Sequence, residues 1–329
     1  MNLKGKTVLV TGAAGFIGSH LVEALLEKGV EVSCFIKYNS RNDWGFLEEL
    51  PDEKKKTIKV ITGDIRDSEI VRHAAKDVDV IFHLAALIGI PYSYTNPKEN
   101  FMTNVMGTYN VMQAALDNGV KKVVHTSTSE VYGTPDSLPI TEEHKLKGQS
   151  PYSASKIGAD KVAESFYHAF GLQVAIARPF NTYGPRQSAR AVIPSSISQA
   201  LKNGIIKYGS GEPTRDLNFV ADTVAGMIKI AECDKSAGEV INLGSGKEIS
   251  MLKLMDKIAA LTGKNIKIMQ DPARVRPAKS EVLRLCADNS KAKRIIGWEP
   301  KIDLDTGLKM TIEWVSTNLK KFKTDIYNR

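Results

Sequence analysis

The 329-residue chain has little cysteine and no long apolar run. The number of cysteines is odd, and the three residues, Cys34, Cys233 and Cys286, form no C-x-x-C pair. This argues against a disulfide framework or a zinc site. We expect inert packing cysteines and no bound metal. The apolar segment 78–90 is too short to span a bilayer and is interrupted by Asp79 and His83. Because the N-terminus enters an apolar β-branched run without a signal-peptide core, we expect a cytoplasmic protein without membrane association.

No block of like charge dominates the chain either. Its formal net charge is +8, but the basic residues are dispersed, with local runs only at 54–56 and 320–323. Such runs are typical of solvated faces, so nucleic acid is not an expected partner. A mildly basic protein does suit an anionic diphosphate ligand.

Alternating strand and helix patterns organise what is present. Short β-branched apolar runs predict strands at 7–10, 31–36, 59–62, 80–83, 122–126 and 174–178, with helical stretches between them. This alternation predicts an α/β fold with a doubly wound, Rossmann-like parallel sheet. We assign residues 1–184 to a nucleotide-binding domain and 185–329 mainly to a smaller substrate-binding portion. The segment at about 217–244 is expected to return to the main sheet.

A glycine-rich turn connects the first predicted strand to the first helix. Gly12 allows the tight turn, Gly15 lets the backbone approach a pyrophosphate, and Gly18 lets the helix pack closely on the strand. The helix N-terminus then faces the phosphates. Although the spacing departs from G-x-G-x-x-G, the strand-to-helix context predicts a dinucleotide site.

Two further segments supply groups for proton transfer. Tyr152 and Lys156 lie four residues apart and project from one helix face, where an ammonium is expected to bring the phenol pKa toward neutrality. Tyr152 is therefore a candidate base for an alcohol that loses hydride. The segment 126–133 adds the hydroxyl of Thr128 and the carboxylate of Glu130.

The chain resembles extended short-chain dehydrogenases/reductases that act on nucleotide-activated sugars. The resemblance covers nearly the whole chain and rests on segments 11–18, 63–64, 83–86, 178–186, 215–216 and 287–293, with Asn104, Tyr152 and Lys156. Within that superfamily the chain is most similar to nucleotide-sugar 4,6-dehydratases. Segments 38–45, 85–94 and 187–194 are similar to amino-sugar dehydratases of the legionaminic-acid type, and 274–281 resembles GDP-mannose dehydratases as well as UDP-linked enzymes. The expected substrate is UDP- or GDP-N-acetylglucosamine.

The resemblance implies residues for the cofactor and for the substrate. The implied cofactor residues are Gly12, Gly15, Phe16, Ile17, Gly18, Lys37, Arg41, Asp64, Ile65, Leu84, Ala85, Ala86, Asn104, Tyr152 and Lys156. A guanidinium presents a fork that fits phosphate oxygens, which makes Arg186, Arg215, Arg274 and Arg276 candidates for the diphosphate. The resemblance favours Asn181, Arg215 and Arg276 for that role and places Glu281 near the nucleoside ribose.

The choice between NADP and NAD depends on the end of the second strand. No acidic residue is available there for a ribose 2′-hydroxyl, whereas Lys37 and Arg41 could meet a 2′-phosphate. This slightly favours NADP over NAD. The alternative is that both cations are solvated in a loop.

The residues also predict a reaction. Thr128 would hydrogen-bond the sugar C4 hydroxyl, Tyr152 would take its proton, and Glu130 would remove the acidified C5 hydrogen before water leaves C6. Many relatives carry an aspartate acid before the glutamate, where this chain has Ser129. Either Glu130 returns its proton or Ser129 relays one through water.

Three other functions remain open from the sequence. A 4-epimerase would share the cofactor site but has no use for Glu130. A nucleotide-sugar acid decarboxylase also carries Thr-Ser-Glu-Val-Tyr and is the closer alternative. A non-enzymatic NADP-sensing protein would retain the fold without turnover.

Two predicted helices suggest self-association. Segments 99–118 and 152–170 carry apolar residues at helical spacing, namely Val105, Tyr109, Met112, Ile157, Val162 and Phe166. The spacing alone is equally compatible with an intramolecular core. In the family the matching helices form a four-helix dimer interface. We therefore expect a homodimer or homotetramer.

Overall fold

The structure is a computed structural model that describes residues 1–263, 265–275, 277–324 and 326. Its strands are β1 Thr7–Thr11, β2 Glu31–Lys37, β3 Lys59–Gly63, β4 Val80–His83, β5 Lys122–Thr126, β6 Val174–Pro179, β7 Asn181–Tyr183, β8 Ile205–Tyr208, β9 Thr214–Phe219, β10 Val240–Leu243, β11 Glu248–Ser250 and β12 Lys267–Gln270. Its α-helices are α1 Phe16–Glu27, α2 Asp52–Lys55, α3 Ser68–Ala74, α4 Ile90–Thr95, α5 Pro97–Phe101, α6 Gly107–Asp117, α7 Pro151–Phe170, α8 Val192–Asn203, α9 Val220–Glu232, α10 Met251–Thr262, α11 Ser290–Ile296 and α12 Leu304–Thr317. A π-helical turn, Met102–Met106, joins α5 to α6.

Seven of the described strands form one parallel sheet in the order β10-β6-β5-β4-β1-β2-β3. The strand order reverses between β1 and β4, and a crevice at such a reversal is where open α/β sheets bind ligands. The predicted α/β class and doubly wound sheet are confirmed. The strand bounds agree with the predicted bounds to within one residue at each end.

The sheet is covered on both faces because successive side chains of each strand point to opposite sides. In β1, Val8 and Val10 belong to one apolar layer, with residues of α1 and α9. Leu9 belongs to the opposite layer, with residues of α3, α6 and α7. Within the described ranges, no helix is both long and apolar enough to cross a membrane.

The later part of the chain forms smaller sheets beside the main one. Strands β7, β9 and β11 pair with one another, and β8 pairs with β12. Helix α9 packs on β5 and β6, and β10 pairs with β6 at one edge of the main sheet. The return to the main sheet therefore begins at α9 and not at residue 217, because Leu217–Phe219 pair with β7.

The apolar stripe expected at a subunit contact is only partly exposed. Met112 is fully buried and Phe166 is 4% exposed, and both belong to the layer beneath α6 and α7. For these two residues the intramolecular core, which the spacing left open beside a subunit contact, is the alternative that the structure supports. Tyr109 is exposed, as are neighbouring residues that helical spacing did not single out: Phe101, Met102, Met106 and Phe170.

Candidate active site

The turn between β1 and α1 lies against the loop that follows β4. Gly12 has φ 74°, and a Cβ there would lie 2.8 Å from the backbone nitrogen of Ala85. A Cβ on Gly18 would overlap the carbonyl oxygen of Gly12. A Cβ on Gly15 would meet only that carbonyl oxygen within 4 Å, at 3.2 Å, so this backbone is open on its other side among the described residues. The turn thus offers a cradle at the N-terminus of α1 that fits a pyrophosphate.

Hydrogen bonds order the loop after β4, which contains Leu84, Ala85 and Ala86. The Thr11 hydroxyl accepts from the backbone nitrogens of Leu84 and Ala85, each at 3.2 Å. Asn104, on the π-helical turn, accepts from the Leu87 nitrogen at 2.8 Å and donates to the Leu87 oxygen at 2.9 Å. It also donates to the Ser155 hydroxyl on α7 at 2.9 Å. Asn104 therefore ties this loop to the helix of Tyr152.

Charged side chains lie on the segments that follow β2 and β3. Lys37 ends β2 and is exposed, and the Arg41 guanidinium lies 3.6 Å from the Asp43 carboxylate. Asp64 receives two hydrogen bonds from the Arg66 side chain, at 2.9 and 2.5 Å. These bonds lower the pKa of the Asp64 carboxyl to about 2, and the charge of Lys37 acts in the same direction. Arg66 was missed in the sequence, although its position two residues after Asp64 was a usable signal.

The first helical turn contributes two apolar side chains, and the loop after β3 a third. Phe16 and Ile17 begin α1 and pack partly buried against the layer beneath that helix. Ile65 is 6% exposed, and its carbonyl accepts from the Asn110 side chain at 3.1 Å. A Cβ on Gly107 would lie 2.8 Å from Ile65, so α6 passes close to this loop.

The catalytic residues predicted from sequence lie on the turn after β5 and on α7. Thr128 caps the 3-10 helix Ser129–Tyr132, and its hydroxyl accepts from the Glu130 nitrogen at 3.2 Å. Lys156 donates to the backbone oxygen of Thr126, the last residue of β5, at 2.7 Å. Glu130 is 9% exposed, and its carboxylate forms no hydrogen bond or ion pair with another described residue.

The electrostatics of this cluster differ from the expectation in one respect. Burial raises the pKa of the Tyr152 phenol, and the charges of Glu130 and Asp160 raise it further, although a hydrogen bond with Thr128 opposes them. The expected fall toward neutrality is therefore wrong for this arrangement. Burial lowers the pKa of Lys156 to about 8, while the charge of Asp160 raises it. Desolvation of both groups outweighs the attraction that the spacing suggested.

Beneath Lys156 lies a buried cluster that sequence reasoning missed. Asp160, on the next turn of α7, accepts from Ser127 at 2.7 Å and from two Arg178 nitrogens at 2.9 and 3.2 Å. His125 Nε2 lies 3.2 Å from the other carboxylate oxygen, without hydrogen-bond geometry. The available signal was the spacing of Asp160, four residues after Lys156 on the same helix.

The predicted substrate residues do not all lie together in the structure. Arg215 on β9 donates to Glu281 at 2.8 Å and to the Val282 carbonyl at 2.8 Å, so these two candidates are brought together. The side-chain oxygen of Asn181 is buried without a partner among the described residues. Arg274 is 3.2 Å from Asp271. Arg276 lies outside the described residues.

Arg186 does not join Arg215. Its guanidinium lies 3.0 Å from the Glu23 carboxylate on α1 and 3.5 Å from the Glu49 carboxylate. These two carboxylates engage Nη2 and Nε, whereas the buried Nη1 has no hydrogen-bond partner among the described residues, so a role for Arg186 at the diphosphate stays a prediction. Among the described residues, no cluster of three or more histidine, cysteine or acidic side chains could hold a metal ion.

Comparisons with known proteins agree with this geometry. The family model described as GDP-mannose 4,6 dehydratase matches residues 9–311. A putative UDP-glucose 4-epimerase of Methanocaldococcus jannaschii is 33% identical over 94% of this chain and 99% of its own. A UDP-N-acetyl-alpha-D-glucosaminuronate decarboxylase of Bacillus cytotoxicus is 35% identical over 94% of this chain and 97% of its own. The dTDP-glucose 4,6-dehydratase DesIV of Streptomyces venezuelae, solved with NAD bound, has a TM-score of 0.85 at 33% identity, covering 96% of this chain and 99% of its own.

Proposed function

Because the chain belongs to the GDP-mannose 4,6-dehydratase family, within the extended short-chain dehydrogenases/reductases, we propose that it is a nucleotide-sugar 4,6-dehydratase. The substrate would be a nucleoside-diphosphate hexose, UDP- or GDP-N-acetylglucosamine by the sequence resemblance, and the product its 4-keto-6-deoxy form. The observation that carries the proposal is the buried Glu130 carboxylate, close enough to Tyr152 to raise the pKa of its phenol and unengaged by other described residues.

The glycine cradle supports a nicotinamide dinucleotide as the cofactor. Gly12 and Gly18 leave no space for a side chain, and the open face of Gly15 lies at the N-terminus of α1, where backbone N–H groups favour an anion. The bound nicotinamide would supply the hydride acceptor for C4 and return the same hydride to C6. Tyr152 and Lys156 would hold and orient the nicotinamide ribose beside the sugar.

The chain's own residues would carry the proton transfers. Thr128 lies close enough to Tyr152 for its hydroxyl to lower the pKa of the phenol, so a C4 hydroxyl placed between them would give its proton to Tyr152 as C4 is oxidised. The new ketone acidifies the C5 hydrogen, which Glu130 removes. The C6 hydroxyl then leaves as water after receiving a proton, either from Glu130 or from Ser129 through a water molecule. C5 then regains a proton as the hydride returns to C6, and this proton balances the one that Tyr152 took from the C4 hydroxyl. With that step the sum is the loss of one water.

We extend the proposal to NADP as the preferred cofactor. Lys37 is exposed, and neither it nor Arg41 pairs with a buried carboxylate, so both can turn toward a 2′-phosphate. Arg66 and Asp64 neutralise each other beside them. Calorimetric titration with NADP and NAD tests this extension, and equal affinities would contradict it.

Binding of the diphosphate is proposed for Asn181 and Arg215. The unpartnered side-chain oxygen of Asn181 shows that its amide is not fully used within the protein. Arg215 is 7% exposed and already held by Glu281, so its guanidinium is fixed in orientation. Arg276 remains a proposed diphosphate ligand on the sequence resemblance.

A homodimer is proposed from the exposed apolar face of the π-helical turn, α6 and α7. Met102, Met106 and Tyr109 are each more than 40% exposed and lie three or four residues apart, which places them on one helical face. Burying this face in a second copy would remove it from water. Light scattering at micromolar concentration tests it, and a monomer would overturn it.

A decarboxylase is the second candidate, because the similar protein of Bacillus cytotoxicus carries that name. Mass spectrometry of products from a panel of UDP- and GDP-sugars distinguishes the activities. Loss of one water indicates dehydration, loss of carbon dioxide from an acid sugar indicates decarboxylation, and an unchanged mass indicates epimerisation. Cofactor binding without turnover of any sugar in the panel would indicate a sensing protein.

Glu130→Gln tests the dehydratase assignment at one residue. The variant should lose turnover on the order of 10²–10⁴-fold, since a general base contributes that much. It should still accumulate reduced cofactor, because Tyr152 and Lys156 remain. Tyr152→Phe should abolish both signals.

The matched control is Glu142→Gln. Glu142 is another partly buried carboxylate, but it accepts from the Asn242 nitrogen at 2.8 Å on β10. That variant should retain turnover within a few-fold. Near-parental dehydration by Glu130→Gln would instead mean that the Glu130 carboxylate is structural.

A further inference from the structure

A cluster of polar side chains lies in the interior beneath Lys156. Tyr152, Lys156 and Asp160 follow one another at four-residue intervals on α7, so they project from one helical face. Asp160 is 1% exposed, and an ionised carboxylate is rarely buried to this extent unless it is paired. The proposed proton transfers do not use this group.

The Asp160 carboxylate is fixed by two strands of the sheet. One oxygen accepts from Ser127, just after β5, and from Arg178 on β6. Arg178 in turn donates to the Tyr132 hydroxyl at 3.0 Å, and Tyr132 donates to the Asn242 side chain at 2.8 Å. Three hydrogen bonds to this one oxygen therefore fix the Asp160 carboxylate one helical turn from Lys156.

Of the basic side chains around the Asp160 carboxylate, some are charged at neutral pH and others are neutral. Burial lowers the pKa of His83 well below its ordinary value and that of His125 to about 4, so both rings are neutral. Arg178 and Lys156 are then the cations that face Asp160. The titratable and charged groups facing Asp160 or Lys156 are His83 on β4, His125 on β5, Arg178 on β6 and Tyr152 on α7. On the 3-10 helix, Tyr132 faces Arg178 and Glu130 faces Tyr152.

We propose that Asp160 is a positioning residue that keeps the buried amine of Lys156 protonated and aimed at the active site. The amine has a single hydrogen-bond acceptor among the described residues, the Thr126 carbonyl, so the nearby carboxylate supplies the charge that compensates its burial. Arg178 and Ser127 hold that carboxylate in place. The ammonium then stays one helical turn from Tyr152 at working pH.

This inference rests on the proposed function only for its catalytic consequence. Asp160 forms no hydrogen bond with Tyr152, but its charge raises the pKa of Tyr152 as well as that of Lys156. The effect on Lys156 is therefore isolated by following the titration of that amine itself. A merely structural role would lower stability without moving the titration of a particular amine.

The test is the titration of Lys156 in Asp160→Asn. Asparagine keeps the shape and one acceptor oxygen but removes the charge. The Cε chemical shift of Lys156 is followed against pH in protein carrying ¹³C-lysine, with the signal assigned by Lys156→Arg. The midpoint should fall by about one to two pH units, since a nearby opposite charge shifts a pKa by that amount. In the profile of hydride-transfer rate against pH, the change on the alkaline side should move by the same interval.

Two controls accompany this measurement. Lys122 is also buried but bonds to other groups, so its midpoint should not move in the same spectra. Ser127→Ala removes one hydrogen bond from the carboxylate but no charge, and should shift Lys156 by less than half as much. An unchanged Lys156 midpoint in a folded Asp160→Asn protein, or equal shifts in the two variants, would overturn the inference.

A second variant covers the case in which Asp160→Asn does not fold. Asp160→Glu keeps the charge and should hold the Lys156 midpoint close to that of the parent, whereas a fall of one unit or more would overturn the inference. The lysine titration needs no sugar. It therefore still tests the role of Asp160 if the protein shows no dehydratase activity. That outcome would contradict the proposed function but not this inference.

Discussion

Two buried lysines lie at opposite ends of β5. Lys122 is the first residue of this strand and is 2% exposed, whereas Lys156 reaches the carbonyl of its last residue, Thr126, and is 3% exposed. Burial lowers the pKa of each to about 8. The two amines nevertheless differ in what surrounds them.

Lys122 uses all three of its donors inside the protein. It donates to the Ile230 carbonyl at 2.9 Å, the Cys233 carbonyl at 2.5 Å and the Ser236 hydroxyl at 2.8 Å. These oxygens lie at the C-terminal end of α9, where a cation is favoured by the helix dipole. An ammonium has three donors, so this lysine has none left for a ligand.

Lys156 has donors to spare and a carboxylate nearby. Within the described ranges it donates only to Thr126, and Asp160 is the acidic group that raises its pKa. The comparison teaches that burial alone does not mark a functional lysine. Lys156, where chemistry is proposed, has unused donors and a carboxylate that compensates its charge. Lys122, at the other end of β5, uses its amine to join α9 to the sheet.

The largest expected difference concerns catalysis. Lys156→Met should lower the rate of hydride transfer on the order of 10²-fold or more, because it removes the charge and donors beside Tyr152. Lys122→Met should leave that rate within a few-fold. Single-turnover absorbance of the reduced cofactor measures both, and equal losses in the two variants would break the distinction.

The second expected effect is a pH dependence of stability. The Lys122 amine keeps its proton to about pH 8 in the folded protein but to about 10.5 when exposed. Between these values the unfolded chain binds more protons, so this group makes folding more favourable as pH rises. The free energy of unfolding of the parent, relative to Lys122→Met, should therefore rise from pH 8 to 10.5 by at most about 3 kcal/mol. Urea unfolding at several pH values measures it, and a fall over this interval would contradict the sign.

The smallest expected effect is on stability and concerns a hydrogen-bond partner of Lys122. Ser236 is fully buried, and its hydroxyl accepts from the amine while its single O–H lies within hydrogen-bond distance of both the Ile230 and the Cys233 carbonyls. Ser236→Ala should lower the free energy of unfolding by about 1 kcal/mol, as expected for neutral hydrogen bonds. The alkaline limb of turnover should stay where it is in the parent. A movement of that limb would show that the two ends of β5 are coupled.

Much of the fold could be predicted because its signals are local. The strand runs are β-branched and apolar, and Gly12 and Gly18 occupy positions where a Cβ would collide with neighbouring backbone. The four-residue spacing of Tyr152 and Lys156 placed them on one helix face. Each of these predictions needs only a few consecutive residues.

The sequence predicted less about side chains whose surroundings come from distant segments. It made Arg186 a candidate for a phosphate but gave no sign of its pairing with Glu23, which lies 163 residues away in the chain. It left Phe166 open between a subunit contact and the core, and the structure places this side chain in the core. The pKa of Tyr152 was expected to fall, although burial raises it.

The sequence by itself determined the alternation of strands and helices of an α/β protein, the glycine cradle and the residue types able to move protons. Only the tertiary structure decided which charges meet. Asp160, Ser127 and Arg178 come from α7, from the end of β5 and from β6, and they become a single cluster only because those strands pair and the helix packs across them. Desolvation, which sets the pKa of Tyr152 and Lys156, depends on that packing and has no local signature in the chain.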